Sequence, residues 1–354
     1  MLGLRQFLQF TLLLTAFTAC EKAPEPEPQH RPSWAGTDFS QLPKVEAEGW
    51  IFRDSDSNEV DPILYLAEQG LKVIRLKVWN NASGDGSLEE LTPYAQRIHD
   101  AGMQVMLTFH YSNTWADPGA QTIPTQWANL SDTDLLDSVR SFTKKVIQAT
   151  NAEYVQIGNE INHGMMKPFG ARDGSGNFQR LLQAGLEGAR EADDSVMTFI
   201  HYAGFENADI FYRTIDSLDF DAIGLSYYPK WHGKNLGDLR SSCFNLTSEF
   251  ERPVYLVESS YPFTLGWADW TNNHIGSADQ IMGAFPPSRA GQKAFLEELR
   301  NLTDSLSTGL MYWGGELVAY KGPQAQDGSP YENQALFSFN GVALPAISAL
   351  GSND

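Results

Sequence analysis

The sequence predicts an α/β protein folded as a single closed (β/α)8 barrel. Three observations carry this. Short apolar, β-rich runs alternate with longer amphipathic stretches, the pattern of a parallel sheet wrapped by helices. There are eight such runs, the number that closes a barrel. No glycine-rich phosphate fingerprint opens a helix, which removes the commonest functional reason for an open, doubly wound sheet. Pattern alone leaves that open sheet as the alternative.

The candidate strands are WAGTDF (34–39), VIRLKVW (73–79), QVMLTFH (104–110), YVQIG (154–158), VMTFIHY (196–202), DAIGLSYY (221–228), PVYLVESS (253–260) and GLMYWG (309–314). Helix-like segments lie between most of them. DPILYLAEQG (61–70) has an Asp-Pro start signal and closes on Gly. LEELTPYAQRIHDAG (88–102) also closes on Gly, with its Pro expected in the first turn. TDLLDSVRSFTKKVIQAT (133–150) carries acid at its start and basic residues towards its end. FQRLLQAGLEGAREAD and AGQKAFLEELRNLTDSL place apolar residues three and four apart. From about Trp34 onward there is no linker, low-complexity run or simple repeat, so residues 34–354 are expected to form one domain.

The N-terminus reads as a processing signal over residues 1–19. Arg5 precedes the apolar stretch LQFTLLLTAF, which is too short to span a bilayer comfortably. It ends in FTAC, which resembles a lipoprotein lipobox with Phe17 where Leu is usual. The resemblance implies cleavage before Cys20 and lipid attachment there. A Pro/Glu-rich tether follows over 20–33. The expectation is an exported, envelope-anchored body, in the outer membrane if the cell is Gram-negative, since Glu21 rather than Asp follows Cys20. Plain secretion is the alternative, and a monomer is assumed.

The chain has 354 residues, with 44 Asp plus Glu against 25 Lys plus Arg and a formal net charge of −19. Such a surface repels nucleic acid, anionic membranes and acidic polymers, so a neutral ligand fits better. Outside the leader Cys243 stands alone, which rules out an internal disulfide framework and reads as a small buried apolar residue.

Polar residues recur where the strands end. In a barrel of this kind those ends face the active-site mouth. In order they are Arg75 with Trp79, His110 with Tyr111, Asn159 with Glu160, His201, Tyr227 with Tyr228, Glu258, and Trp313. Alone, each has a bland reading: a strand-end glutamate is commonly a structural ion pair, and His201 a satisfied core histidine. Together they suit glycosidic-bond hydrolysis, in which one carboxylic acid protonates the leaving oxygen and another attacks the anomeric carbon. Glu160 and Glu258 are the candidate pair. Asn159 is placed to hold a sugar 2-hydroxyl, Arg75 and the phenol of Tyr227 or Tyr228 to keep Glu258 ionised, and Trp313 to floor a pyranose ring.

At these residues the sequence resembles glycoside hydrolase family 53, the endo-β-1,4-galactanases. The blocks that carry the resemblance are VQIGNEIN, LTFHYSNTWADPG, LSYYPKWHG and LVESSYPFTLGWAD, with GTDFSQLPKVEAEGWIFRD and VIRLKVWN ahead of them. They run from about Gly36 to LFSFNGVALPAI, nearly the whole mature chain. The resemblance implies a (β/α)8 barrel of a retaining clan, with Glu160 as acid/base and Glu258 as nucleophile. It places Arg75, His110, Trp115, Asp117, Asn159, Tyr227 or Tyr228, Trp231 and Trp313 around neutral β-1,4-galactan. No cofactor is required. Another β-glycanase or β-galactosidase of the same clan, such as a β-mannanase, is the alternative enzyme, and a non-catalytic glycan-binding barrel the alternative class.

Three departures from the family pattern stand out. Lys167 in GMMKP occupies the place of an aromatic, and Gly314-Gly315 that of Glu-Pro, with Glu316 following. In TLGWADWTNN, Asp269 and Asn273 keep two positions of a calcium site that some bacterial members hold, but Trp267 and Thr271 replace two others. Calcium takes about six to eight oxygens, so these replacements weaken the expectation of a structural calcium at Asp269 and Asn273.

Overall fold

The structure, a computed structural model, describes residues 33–351. The leader, Cys20 and the tether as far as Pro32 lie outside the described residues. All eight expected strands form: β1 (Trp34–Asp38), β2 (Val73–Val78), β3 (Gln104–Phe109), β4 (Tyr154–Ile157), β5 (Met197–Ala203), β6 (Ala222–Ser226), β7 (Val254–Ser259) and β8 (Gly309–Tyr312). Each pairs in parallel with its sequence neighbours, and β1 pairs with β8, so the sheet closes. The open-sheet alternative is excluded.

The connecting helices are α1 (Pro62–Glu68), α2 (Leu88–Asp100), α3 (Asp132–Thr150), α4 (Asn177–Ala192), α5 (Ala208–Arg213), α6 (Leu236–Phe250) and α7 (Arg289–Ser305). Side-chain caps start several of them: Asp61 accepts from the Ile63 and Leu64 N–H groups, Ser87 from Glu90, Ser131 from Asp134 and Ser288 from Gly291. Pro93 lies further into α2 than expected, past the first turn, so the Glu89 carbonyl lacks its helical donor.

The interior divides into two chemistries. A lower plug of Trp34, Val73, Met106, Tyr154, Met197, Phe199, Tyr255, Val257 and Met311 fills the barrel. Its rings interlock, with Trp34 and Tyr154 centred 5.2 Å apart and Phe199 and Tyr255 5.0 Å apart. Above it the layer turns polar: Asp38 sits opposite Arg75, and Lys77, Thr108 and Gln156 follow one another across β2, β3 and β4. The apolar plug therefore forms a dry base under buried charge.

Closure is tight where β1 meets β2. A Cβ added at Gly36 would lie 2.0 Å from the Val73 carbonyl oxygen. Gly36→Ala is expected to push these strands apart and destabilise the fold by about 3 kcal/mol, read as a lower midpoint in chemical denaturation.

Candidate active site

The site is organised around one guanidinium. Arg75, wholly buried on β2, donates through Nη1 to Asp38 Oδ2 at 2.8 Å and through Nη2 to Glu258 Oε1 at 2.7 Å. Nη2 also meets Asn159 Oδ1 at 2.9 Å and Thr108 Oγ1 at 3.2 Å. A buried cation is costly unless its donors are met; here β1, β3, β7 and the end of β4 supply acceptors to its two terminal nitrogens. Tyr228 donates its hydroxyl to Glu258 Oε2 at 3.0 Å, so both oxygens of that carboxylate are held.

Backbone irregularities aim the two glutamates. Tyr255 and Val257 belong to the plug inside the barrel, so strict alternation would turn Glu258 outward. The register of β7 shifts against both neighbours here: Leu225 faces Leu256 but Ser226 faces Glu258, and Leu310 faces Leu256 but Tyr312 faces Ser259. This bulge re-aims Glu258 into the mouth. Beyond β4, Gly158 and Glu160 take positive φ values of 82° and 48°, turning the Glu160 N–H towards His201 Nδ1 at 3.3 Å. Ser226 donates to Glu160 Oε1 at 2.6 Å. One oxygen of Glu160 lies within 4.8 Å of one oxygen of Glu258.

The two carboxyls differ electrostatically. Burial, then the charge of Glu258, pushes Glu160 up to about 8. Burial also raises Glu258 above the usual carboxylic value, but Arg75 opposes it. Glu258 therefore ionises first and Glu160 keeps its proton near neutral pH. Burial and the Arg75 charge hold His110 and His201 well below the ordinary imidazole value, so both are neutral.

A cleft of about 1000 Å³ opens above the pair, lined by Trp115, Asp117, Asn159, Glu160, Tyr228, Trp231, Glu258 and Trp313 from the expected set. The other three expected residues do not line it. Arg75 and His110 lie beneath, His110 accepting the Ala116 N–H at Nδ1. Tyr227 turns away: its hydroxyl donates to the Gly233 carbonyl and its ring packs near Phe205 and Phe295. The phenol on Glu258 is thus Tyr228, the next residue along.

Sequence reasoning missed further lining residues. Tyr331 and His274 pack at a tilt with ring centres 4.6 Å apart, and Tyr331 meets Trp313 edge-on at 4.5 Å. They come from the loops after β7 and β8, where no motif marks them. The two departures near the site have local explanations. Lys167 sits in the turn between two short antiparallel strands, Gly164–Met165 and Gly170–Ala171, its N–H donating to the Gln121 carbonyl. Gly315 passes so close to β1 that an added Cβ would lie 2.5 Å from Thr37 Oγ1. It thereby delivers Glu316 into a buried position where Oε1 accepts the Gln41 N–H.

Glu160, His201 and Glu258 are also the types of residue that bind metals. Both nitrogens of His201 are engaged, Nδ1 by Gln156 and the Glu160 N–H and Nε2 by Ser226. Arg75 and Tyr228 occupy Glu258, so the trio is a hydrogen-bonded network rather than a free ligand set.

A barrel mouth holding two carboxyls within 4.8 Å of each other, one clamped by a guanidinium and the other not, defines a glycoside hydrolase that works through an acid pair. The chain belongs to glycosyl hydrolase family 53, whose family model matches residues 34–350. It is similar to an arabinogalactan endo-beta-1,4-galactanase of Cellvibrio japonicus, with 31% identity over 89% of this chain and 90% of that one. A GH53 catalytic domain from Ignisphaera aggregans superposes with a TM-score of 0.83 at 33% identity, covering 89% of this chain and 94% of that one. A structure of fungal beta-1,4-galactanases gives 0.79 at 26% identity, with 91% and 99% covered.

The guanidinium yields a stability prediction. Arg75→Met leaves Asp38 and Glu258 buried without their cation and is expected to cost about 3–5 kcal/mol. Urea denaturation at neutral pH checks this, and part of the loss should return at acid pH as the carboxyls take up protons.

Proposed function

We propose that this chain is a retaining endo-β-1,4-galactanase in which Glu258 is the nucleophile and Glu160 the acid/base. The observation that carries this is the unequal pair: Glu258 clamped by Arg75 and Tyr228, and Glu160 raised to about 8, within 4.8 Å of each other. Retaining glycosidases place their carboxyls about 5–5.5 Å apart, leaving no room for a water between nucleophile and sugar. In the first step Glu258 attacks the anomeric carbon while the leaving oxygen takes the Glu160 proton. In the second, Glu160 takes a proton from water, whose oxygen displaces Glu258 from the same carbon. The Asn159 amide gives one hydrogen to the Ala116 carbonyl and keeps another for the 2-hydroxyl. Trp313, edged by Trp115 and Tyr331, offers the apolar floor for the ring.

The Cellvibrio and fungal relatives are named as galactanases, and a neutral polymer agrees with the charge of −19. No observation favours mannan, and the intact pair argues against a purely binding role. Among the described residues no helix is long and apolar enough to cross a membrane. Anchoring through Cys20 rests on the leader sequence, and residues 34–354 are taken as the catalytic domain.

We propose further that the wall formed by the loops after β7 and β8 holds a structural calcium. Asp269 Oδ2, Asn273 Oδ1 and Glu332 Oε2 are inaccessible side-chain oxygens without hydrogen-bond partners. Burial, with the Asp269 charge contributing, raises the Glu332 carboxyl, so the two acids are neighbours that a cation would reconcile. Glu332 was not expected from the sequence. The ion would brace the wall and take no part in bond cleavage.

Two outcomes test these assignments. Glu258→Ala should lower galactan hydrolysis by about 10⁴-fold or more, with azide restoring turnover and yielding α-galactosyl azide. A β-azide would assign the role wrongly. Calcium should raise the melting temperature by several degrees over a chelator control, and Glu332→Gln should remove that difference.

A further inference from the structure

We propose that Ser226 and His201 form a relay that fixes which oxygen of Glu160 carries the catalytic proton: Oε1 is held as an acceptor, and Oε2 delivers the proton into the cleft. The inference rests on Glu160 being the acid/base. It follows from the direction of each hydrogen bond.

The backbone N–H of Glu160 can only donate, and it points at His201 Nδ1 at 3.3 Å. The Gln156 Nε2 group lies 2.8 Å from the same nitrogen. Its orientation is set independently, because Nε2 also reaches the Gly158 carbonyl, which can only accept, while Oε1 faces Arg75 Nη2. Asn159 Oδ1, the remaining neighbour of Nδ1, already accepts the charged Arg75 Nη2 at 2.9 Å. Nδ1 therefore carries no proton, and the neutral ring holds it on Nε2. Nε2–H donates to Ser226 Oγ at 2.8 Å. The one proton of the Ser226 hydroxyl then goes to Glu160 Oε1 at 2.6 Å. An oxygen accepting that bond is the carbonyl oxygen of the acid form, which leaves Oε2 as the hydroxyl.

Ser226 and His201 touch no substrate atom in this scheme and are positioning residues. Other charged and titratable groups face Glu160 from around the mouth. Glu258 on β7 and Asp117 after β3 raise it, and Arg75 on β2 lowers it. The phenols of Tyr228 and Tyr331 face it from the loops after β6 and β8. The Ser226 bond favours the charged carboxylate, so losing it makes Glu160 hold its proton to higher pH.

The test uses aryl β-1,4-galactobiosides whose leaving groups run from phenol to 2,4-dinitrophenol. With wild type, Ser226→Ala, Ser226→Thr and Glu160→Gln, kcat/KM is measured against pH and leaving-group acidity. Ser226→Ala should lose about tenfold on the phenyl substrate and under about twofold on the dinitrophenyl one, which needs no protonation. Its basic limb should move up from about 8, and Ser226→Thr should behave as wild type. An equal loss on every substrate with an unmoved basic limb would overturn the relay. Should Glu160→Gln itself show no dependence on leaving group, the acid/base assignment fails instead.

Discussion

The pairing of Arg75 with Glu258 is the interaction on which the rest of the site depends. One buried guanidinium meets two carboxylates, Asp38 and Glu258, and a third carboxyl, Glu160, stands close without direct access to it. Arg75 is the cation that reaches Glu258, so its allocation decides chemistry. Of the two glutamates, the one that reaches the guanidinium is the easier to ionise, and the other is held towards its protonated form. The proposed division into nucleophile and acid rests on which side chain the bulged strand brings to Nη2, not on any intrinsic difference between two glutamates.

Much of this architecture was legible in the sequence, because a barrel writes itself as eight short apolar runs, buried on both faces, separated by helical stretches. The rim could be read by following each strand to its end, and both carboxylates emerged that way. Orientation could not. Counting alternate faces along β7 from Tyr255 and Val257 sends Glu258 to the wrong side, and only the register shift corrects it. The same parity question separates Tyr227 from Tyr228, where two adjacent phenols look interchangeable and one ends beneath the loop at Gly233. Tyr331, His274 and Glu332 were invisible for a different reason. They lie in long loops, and their positions depend on contacts between distant segments rather than on local pattern. Ser226 was in plain view inside LSYY, but a serine at a strand end has no signal until its partners are known.

The cleft's rings form a nearly continuous series. Trp79, Trp115, Trp313, Tyr331, His274, Trp231 and Tyr228 follow one another at centroid separations of 5.2, 6.1, 4.5, 4.6, 6.3 and 5.3 Å. Such a surface gives broad, shallow attraction for the flat faces of neutral sugars, while the polar network beneath supplies direction. Binding and chemistry are thus assigned to separate layers: aromatic groups spread along the opening, ionised groups concentrated at one point under it.

The wall of that opening has its own seam. The loops after β7 and β8 are stitched to each other by backbone bonds from Phe263 to Asn333, Trp270 to Ala325 and His274 to Pro330. The carboxyl pair instead hangs from β4, β6 and β7 and from Arg75. Insertions, deletions or exchanged aromatics in the stitched loops can accumulate without disturbing the acids. A lineage carrying this arrangement is free to retune the length and branching of the chain it grips while inheriting its catalytic machinery unchanged.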